Sequence, residues 1–125
     1  MPLKSTAFAA ASLVLASLWF VAPALAGSDW GAIAIDTTQA TAEPSWGVGG
    51  GATEDEASQS AVGFCLKTGS KAGCRVVVTY QQCGAFASNG HEAGWSKAPS
   101  KKEAEDGAVK ACGQNDCALV TSDCN

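Results

Sequence analysis

The single histidine of the chain, His91, lies among residue types that hydrolytic sites use. Glu92 follows it directly and Ser88 precedes it by three positions, so a base, a carboxylate and a hydroxyl nucleophile are close in sequence. Asn89-Gly90 lies between them and favours a turn. A catalytic triad needs a specific geometry that no motif here indicates. The sequence therefore favours an exposed turn histidine, with a small hydrolase using His91 as the alternative.

Cysteines are the other reactive side chains. No C-x-x-C pair occurs and the histidine does not adjoin a cysteine, so the sequence predicts no zinc site. Asp29 and Asp36 flank an apolar run and could bind a hard cation, but we expect them to be solvated strand ends. An even number of cysteines in a short exported chain predicts three disulfides, which would leave no thiolate for catalysis. The six are Cys65, Cys74, Cys83, Cys112, Cys117 and Cys124.

A glycine-rich segment, WGVGGGA over residues 46–52, formally satisfies the G-x-G-x-x-A pattern of phosphate-binding loops. That fingerprint requires a strand that leads directly into the glycines. The preceding apolar run ends at Ile35, well before Gly47, and Pro44 lies between. We therefore expect the glycines to form a flexible turn into a helix, and we predict no cofactor.

Trp30, Trp46 and Trp95 are among the few large side chains with which a domain rich in alanine and glycine could bind a partner. Trp46 and Trp95 each precede a predicted helix start by several residues, so we expect these two near equivalent helix N-termini. They either cover the small residues of the helices as core or, together with His91, form a binding surface.

The elements that would position these residues occur twice. EASQSAVGFC at 56–65 and EAEDGAVKAC at 103–112 share five residues in register, 47 positions apart. Thr53 and Ser100 stand three residues before the first Glu of each segment, which predicts two helices that begin with capping boxes.

Strand patterns flank both predicted helices. Each helix is followed by a Cys and a β-branched run, at 75–80 and 118–121. Each is preceded by the pattern x-Gly-Ala-apolar-Ala, within 30–36 and 83–89. The sequence thus predicts an α+β fold in which a duplicated β-α-β unit forms one small sheet with two helices on one face. The repeats would span about 28–82 and 83–125 of a single domain, 27–125.

Repeat symmetry reduces the fifteen possible disulfide pairings to a few. Two symmetric solutions cross-link the units and stay open. The simplest ties each helix end to the next strand and joins the strand ends, which gives Cys65–Cys74, Cys112–Cys117 and Cys83–Cys124.

Residues 1–26 have the pattern of a cleaved signal peptide: Lys4, a long apolar run and Ala24-Leu25-Ala26. A retained membrane anchor is the alternative, but Pro23 and the Ala-x-Ala ending argue against it. Without Lys4 the net charge falls from −4 to −5, which disfavours nucleic acid and anionic membranes as partners. We therefore predict a secreted or periplasmic protein without stable membrane insertion.

The motifs WGAIAID, CRVVV, CGAFA and the paired A-V-x-x-C segments together resemble a bacterial secreted family, the domain of unknown function numbered 4189. The resemblance covers nearly all of residues 28–124. It implies an exported, cysteine-containing small domain with no catalytic residues to transfer. The leading hypothesis is a nonenzymatic interaction module, such as an inhibitor, immunity factor or effector, whose partner is another protein. A structural envelope protein is a further alternative.

Overall fold

The structure, a computed structural model, describes residues 29–38, 44–69 and 73–125. The predicted signal peptide lies outside these residues. The two halves have the same element order, β-β-α-β. The elements are β1 Trp30–Asp36, β2 Trp46–Gly51, α1 Glu54–Lys67, β3 Cys74–Tyr80, β4 Cys83–Ser88, β5 Ala93–Ala98, α2 Lys101–Cys112 and β6 Ala118–Cys124.

Both helices begin at the predicted caps. The hydroxyl oxygen of Thr53 accepts a hydrogen bond from the Glu56 amide at 3.2 Å, and that of Ser100 accepts one from the Glu103 amide at 3.3 Å. The Glu56 carboxylate accepts from the Ala52 amide, one residue before the position that a capping box uses. The two caps stabilise the first turns of α1 and α2.

Each half forms its own three-stranded antiparallel sheet, in the orders β2-β1-β3 and β5-β4-β6. The α+β class is as predicted, but the predicted β-α-β unit and the single sheet are wrong. Each half has one strand more than predicted, β2 and β5, in the segments predicted as loops. These strands complete a separate sheet in each half.

The glycines of β2 explain why its sequence does not have the residue pattern of a strand. A Cβ added to Gly47 or Gly49 would lie under 3.0 Å from backbone atoms of α1, and one added to Gly94 would meet the backbone of α2 in the same way. Glycine therefore lets each helix lie directly on its strand. The predicted flexible turn over 47–51 is wrong, because these residues form a strand covered by α1.

The two sheets pack face to face, with one helix on the outer side of each. Along β1, Ala32 and Ala34 pack against α1, whereas Ile33 and Ile35 point into the space between the sheets. In β4, Ala85 likewise packs against α2, and Phe86 meets the two isoleucines. The helices consequently lie on opposite outer faces, and the prediction that they share one face is wrong.

Tyr80, at the end of β3, joins the two sheets. Its ring packs where a Cβ on either Gly31 or Gly84 would be. Its hydroxyl donates a hydrogen bond to Asp123 Oδ2 at 2.7 Å. Tyr80 pairs with Gly31 in the first sheet and Asp123 pairs with Gly84 in the second, so the bond joins equivalent positions of the two halves. Burial, followed by this hydrogen bond and the Asp123 charge, raises the pKa of Tyr80 well above its usual value.

All three predicted disulfides are present: Cys65–Cys74, Cys112–Cys117 and Cys83–Cys124. The third does not join the halves, since Cys83 and Cys124 lie opposite each other on neighbouring strands of the second sheet. Every disulfide among the described residues therefore lies within one half. Between the halves the chain has only the Gln81-Gln82 connection, and the Asn125 amide donates to the Gln82 carbonyl at 2.9 Å.

The same substitution at two glycines should have opposite effects on stability. Gly49→Ala should lower the free energy of unfolding by about 3 kcal/mol, because the methyl group would collide with the backbone of α1. Gly63→Ala, in the middle of α1 with no atom within 4 Å of the added methyl, should raise it by about 1 kcal/mol. Urea unfolding of both variants measures the difference, and equal effects would contradict the proposed packing.

Tyr80→Phe should lower the free energy of unfolding by about 1–2 kcal/mol, because the Asp123 carboxylate loses its donor. A raised folded-state pKa means that Tyr80 contributes stability below the unfolded-state pKa near 10, and that this contribution is lost as the pH rises above it. The wild type should therefore lose stability above pH 10 more steeply than Tyr80→Phe. Because Tyr80 is the sole tyrosine, the phenolate absorbance of the folded protein reports its titration directly. Ordinary titration near pH 10, or parallel stability curves, would contradict the buried bond.

Candidate functional site

A cleft of about 250 Å³ opens between the two halves. The first half contributes Asp36 and Pro44 to its lining, and the second contributes His91, Glu92 and Trp95. All of them except Trp95, which lies within β5, are at or just beyond the ends of β1 and β4 that are far from the Gln81-Gln82 connection. The cleft is therefore formed only when both sheets are packed together.

Strand alternation directs Trp95 towards the cleft. Its neighbours in β5, Gly94 and Ser96, lie against α2, which leaves the Trp95 side chain on the opposite face. Trp95 pairs with the buried Phe86 on β4, and 41% of its surface is exposed. Helix packing on one side of β5 thus determines that the indole is presented on the other.

His91 lies in the turn that the sequence predicts. The Asn89 side-chain oxygen accepts hydrogen bonds from the amides of His91 at 2.9 Å and Glu92 at 2.6 Å. The Asn89 amide group donates to Asp116 at 2.9 Å, and Gly90 has a positive φ of 91°. This arrangement fixes the turn and leaves His91 and Glu92 exposed at the rim of the cleft.

Ser88, the candidate nucleophile, is part of the same turn. Its hydroxyl donates to the Glu92 carbonyl at 3.0 Å and accepts from the Gly90 amide at 2.9 Å. A nucleophilic serine directs its proton towards a general base. Here the proton is directed at a backbone carbonyl, so the geometry does not support a Ser88–His91 pair.

Asp36 differs from the expectation of a solvated strand end, because only 3% of its surface is exposed. Its Oδ1 accepts hydrogen bonds from the Thr38 amide at 2.8 Å and the Thr38 hydroxyl at 2.6 Å. Its own amide donates to the Ser45 carbonyl at 2.8 Å. The spacing Asp-x-Thr is a signal for such a turn, and it could have identified Asp36 as an ordered wall of a site.

Trp46 does not line the cleft. It packs against the core between the sheets and pairs with Ile35 on β1. Gly47 and Gly94 occupy the same place beneath their helices, so the counterpart of Trp46 is Ala93 and that of Trp95 is Val48. The neighbouring Gly47 and Gly94 lie against the C-terminal parts of α1 and α2, at Cys65 and Cys112, so the expectation that the two tryptophans lie near equivalent helix N-termini is wrong. Only Trp95 joins His91.

Residues 29–38, 44–69 and 73–125 contain no group of three or more His, Cys, Asp or Glu side chains placed to hold a metal ion. Over the same ranges, no helix has the length and apolar character needed to cross a membrane.

Comparison with known proteins identifies a family and a fold. Residues 30–124 match the family model described as "Domain of unknown function (DUF4189)". The NMR structure of Rv1813c from Mycobacterium tuberculosis is similar to this chain, with a TM-score of 0.54 and 22% sequence identity. The match covers 99% of this chain and 100% of that one, and it indicates a shared fold alone. No curated protein matches the chain.

Asn89→Ala should loosen the turn that carries His91, because two backbone amides and the Asp116 carboxylate lose their partner. Hydrogen exchange at the His91 and Glu92 amides should become at least about tenfold faster, as expected for the loss of about 1.4 kcal/mol of local stability. Asn115→Ala, in the neighbouring exposed turn, is the matched control and should leave both rates unchanged. Unchanged exchange in Asn89→Ala would show that the turn is held by other contacts.

Proposed function

The chain belongs to the DUF4189 family, and from the geometry of its cleft we propose that it is an exported, nonenzymatic module that binds another protein. The observation that carries the proposal is an exposed tryptophan, Trp95, beside His91 in a cleft formed by both halves. Tryptophan is enriched among the residues that dominate binding energy at protein interfaces.

The surroundings of Trp95 favour binding by a preformed surface. The indole lies on β5, an edge strand of the second sheet that α2 covers on its other face. One disulfide fixes the end of α2 and another joins β4 to β6. A surface that is ordered before binding loses less conformational entropy when the partner arrives. The scaffold is thus suited to presenting a fixed cleft to a partner.

Export is supported by the cysteines together with the N-terminal sequence. Three disulfides within so short a chain are typical of proteins from oxidising compartments. The predicted signal peptide at 1–26 agrees with this compartment, and we propose a secreted or periplasmic location. The acidic net charge supports a protein partner over nucleic acid.

The hydrolase alternative gains no support from the site. Ser88 uses its proton within the turn, and all six cysteines are in disulfides. If a broad substrate screen nevertheless found an activity, its loss in His91→Ala with the fold retained would favour the hydrolase over the binding module.

The proposal predicts that Trp95→Ala abolishes partner binding while Leu119→Ala does not. Both side chains are 41% exposed, but Leu119 lies on β6 and does not line the cleft, so it is a matched control. The oxidised mature protein and both variants would be used to capture proteins from culture medium and envelope extract. A protein retained in stoichiometric amount by the wild type and by Leu119→Ala, with at least a tenfold loss in Trp95→Ala, is the expected result.

Capture that is equal for all three proteins would contradict the role of Trp95. Amide NMR spectra of both variants check that the fold is retained, so that a loss of binding is attributable to the indole.

A further inference from the structure

We propose that the cleft at Trp95 receives a basic side chain, an arginine or a lysine, of the partner protein. This inference rests on the proposed function and adds the chemistry that the partner must present. It follows from the size of the cleft, from its aromatic wall and from the charges of its lining.

The cleft is sized for one side chain. Pockets for drug-sized ligands have volumes of roughly 300–1,000 Å³, whereas this cleft has about 250 Å³ and opens to solvent between the halves. A single long side chain inserted from a partner surface would fill it.

Trp95 provides an aromatic wall that suits a cation. The ring faces of tryptophan attract ammonium and guanidinium groups more strongly than those of other aromatic residues, and arginine also stacks on them. The apolar stem of such a side chain would contact Pro44 and Ile35, which line the cleft beside the indole.

The charges of the lining also favour a cation. The titratable residues there are Asp36, His91 and Glu92, and no lysine or arginine among the described residues lines the cleft. The Asp36 carboxylate is nearly buried and is hydrogen-bonded to Thr38, so Glu92, which is exposed at the rim, is the carboxylate that a ligand would meet. The attraction between an exposed carboxylate and a cation is modest, and it adds to the attraction of the indole.

A second opening, nearer the connection between the halves, provides an internal contrast. A cavity of about 550 Å³ near the Gln81-Gln82 connection is lined by Lys97 and by no carboxylate of the described residues. The two openings thus differ in charge. Lys97→Gln is accordingly a control that removes a charge two residues from Trp95 along β5 without changing a residue that lines the cleft.

The test uses the oxidised mature protein and two capped tripeptides, acetyl-Gly-Arg-Gly-amide and the same peptide with citrulline, which has the shape of arginine but no charge. Amide and indole NMR signals are followed during titration. We expect shifts at the Trp95 indole, His91 and Glu92, with at least fivefold weaker binding of the citrulline peptide. Glu92→Gln should weaken the arginine peptide about threefold, and Lys97→Gln should leave it unchanged or slightly stronger.

Equal affinity for both tripeptides, shifts confined to the residues around the Gln81-Gln82 connection, or an unchanged affinity in Glu92→Gln would each overturn the inference. Glu92→Gln keeps the backbone groups that form the turn, so its fold should be retained. Stronger binding of acetyl-Gly-Glu-Gly-amide at the cleft would also overturn it.

The two proposals fail in different ways. If Trp95→Ala loses the captured partner but Glu92→Gln and an excess of the arginine tripeptide leave capture unchanged, the cleft binds a protein without a basic anchor and only the inference is wrong. If the tripeptide binds at Trp95 but Trp95→Ala captures every protein as the wild type does, both are wrong.

Discussion

The noncovalent contact between the two sheets is the interaction on which the rest of the structure depends. Ile33, Ile35, Phe86 and Tyr80 meet there and are almost completely buried. Each of the three disulfides contributes about 2–4 kcal/mol to the stability of the half that contains it, compared with a typical total domain stability of about 5–15 kcal/mol. None of them crosses the contact between the sheets. The cleft has walls from both halves, so its existence depends on apolar burial and on the Tyr80–Asp123 bond.

Small residues on the outer layers make this arrangement possible. The buried faces of the helices consist of alanine and cysteine, and the strand beneath α1 has glycine at alternate positions. Alanine and glycine have little apolar surface, so the contact between helix and strand buries a small apolar area and contributes less stability than a contact between larger residues would. The disulfides from the helix ends to β3 and to the segment before β6 compensate by holding each helix on its sheet. The large side chains are correspondingly concentrated between the sheets.

Much of the local structure could be predicted from the sequence, because its signals are local. The caps at Thr53 and Ser100, the central strands β1 and β4, and the turn at Asn89 follow from short patterns of residue types. Strand β2 could not be, because glycine is disfavoured in strands, and its glycines are explained only by the helix packed above them. The pairing of the cysteines was predicted correctly, although Cys83–Cys124 turned out to lie within one sheet.

The candidate site was predictable only in part for a related reason. The sequence indicated His91 and Trp95, together with Trp46, as a possible binding surface. Their association with Asp36 depends on how two separate sheets meet, and no pattern within one segment encodes that. The buried state of Asp36 likewise depends on packing against the neighbouring turn.

The position of the chain connection between the halves has a mechanical consequence. Gln81-Gln82 joins the sheets at one end, and the cleft lies towards the other. A change in the angle between the sheets would therefore rotate them about this connection as a pivot. A strand of six residues is about 20 Å long, so a 5° rotation about the pivot would move the far ends of the sheets by about 1.7 Å relative to each other. The width of the cleft therefore depends strongly on the angle between the two sheets.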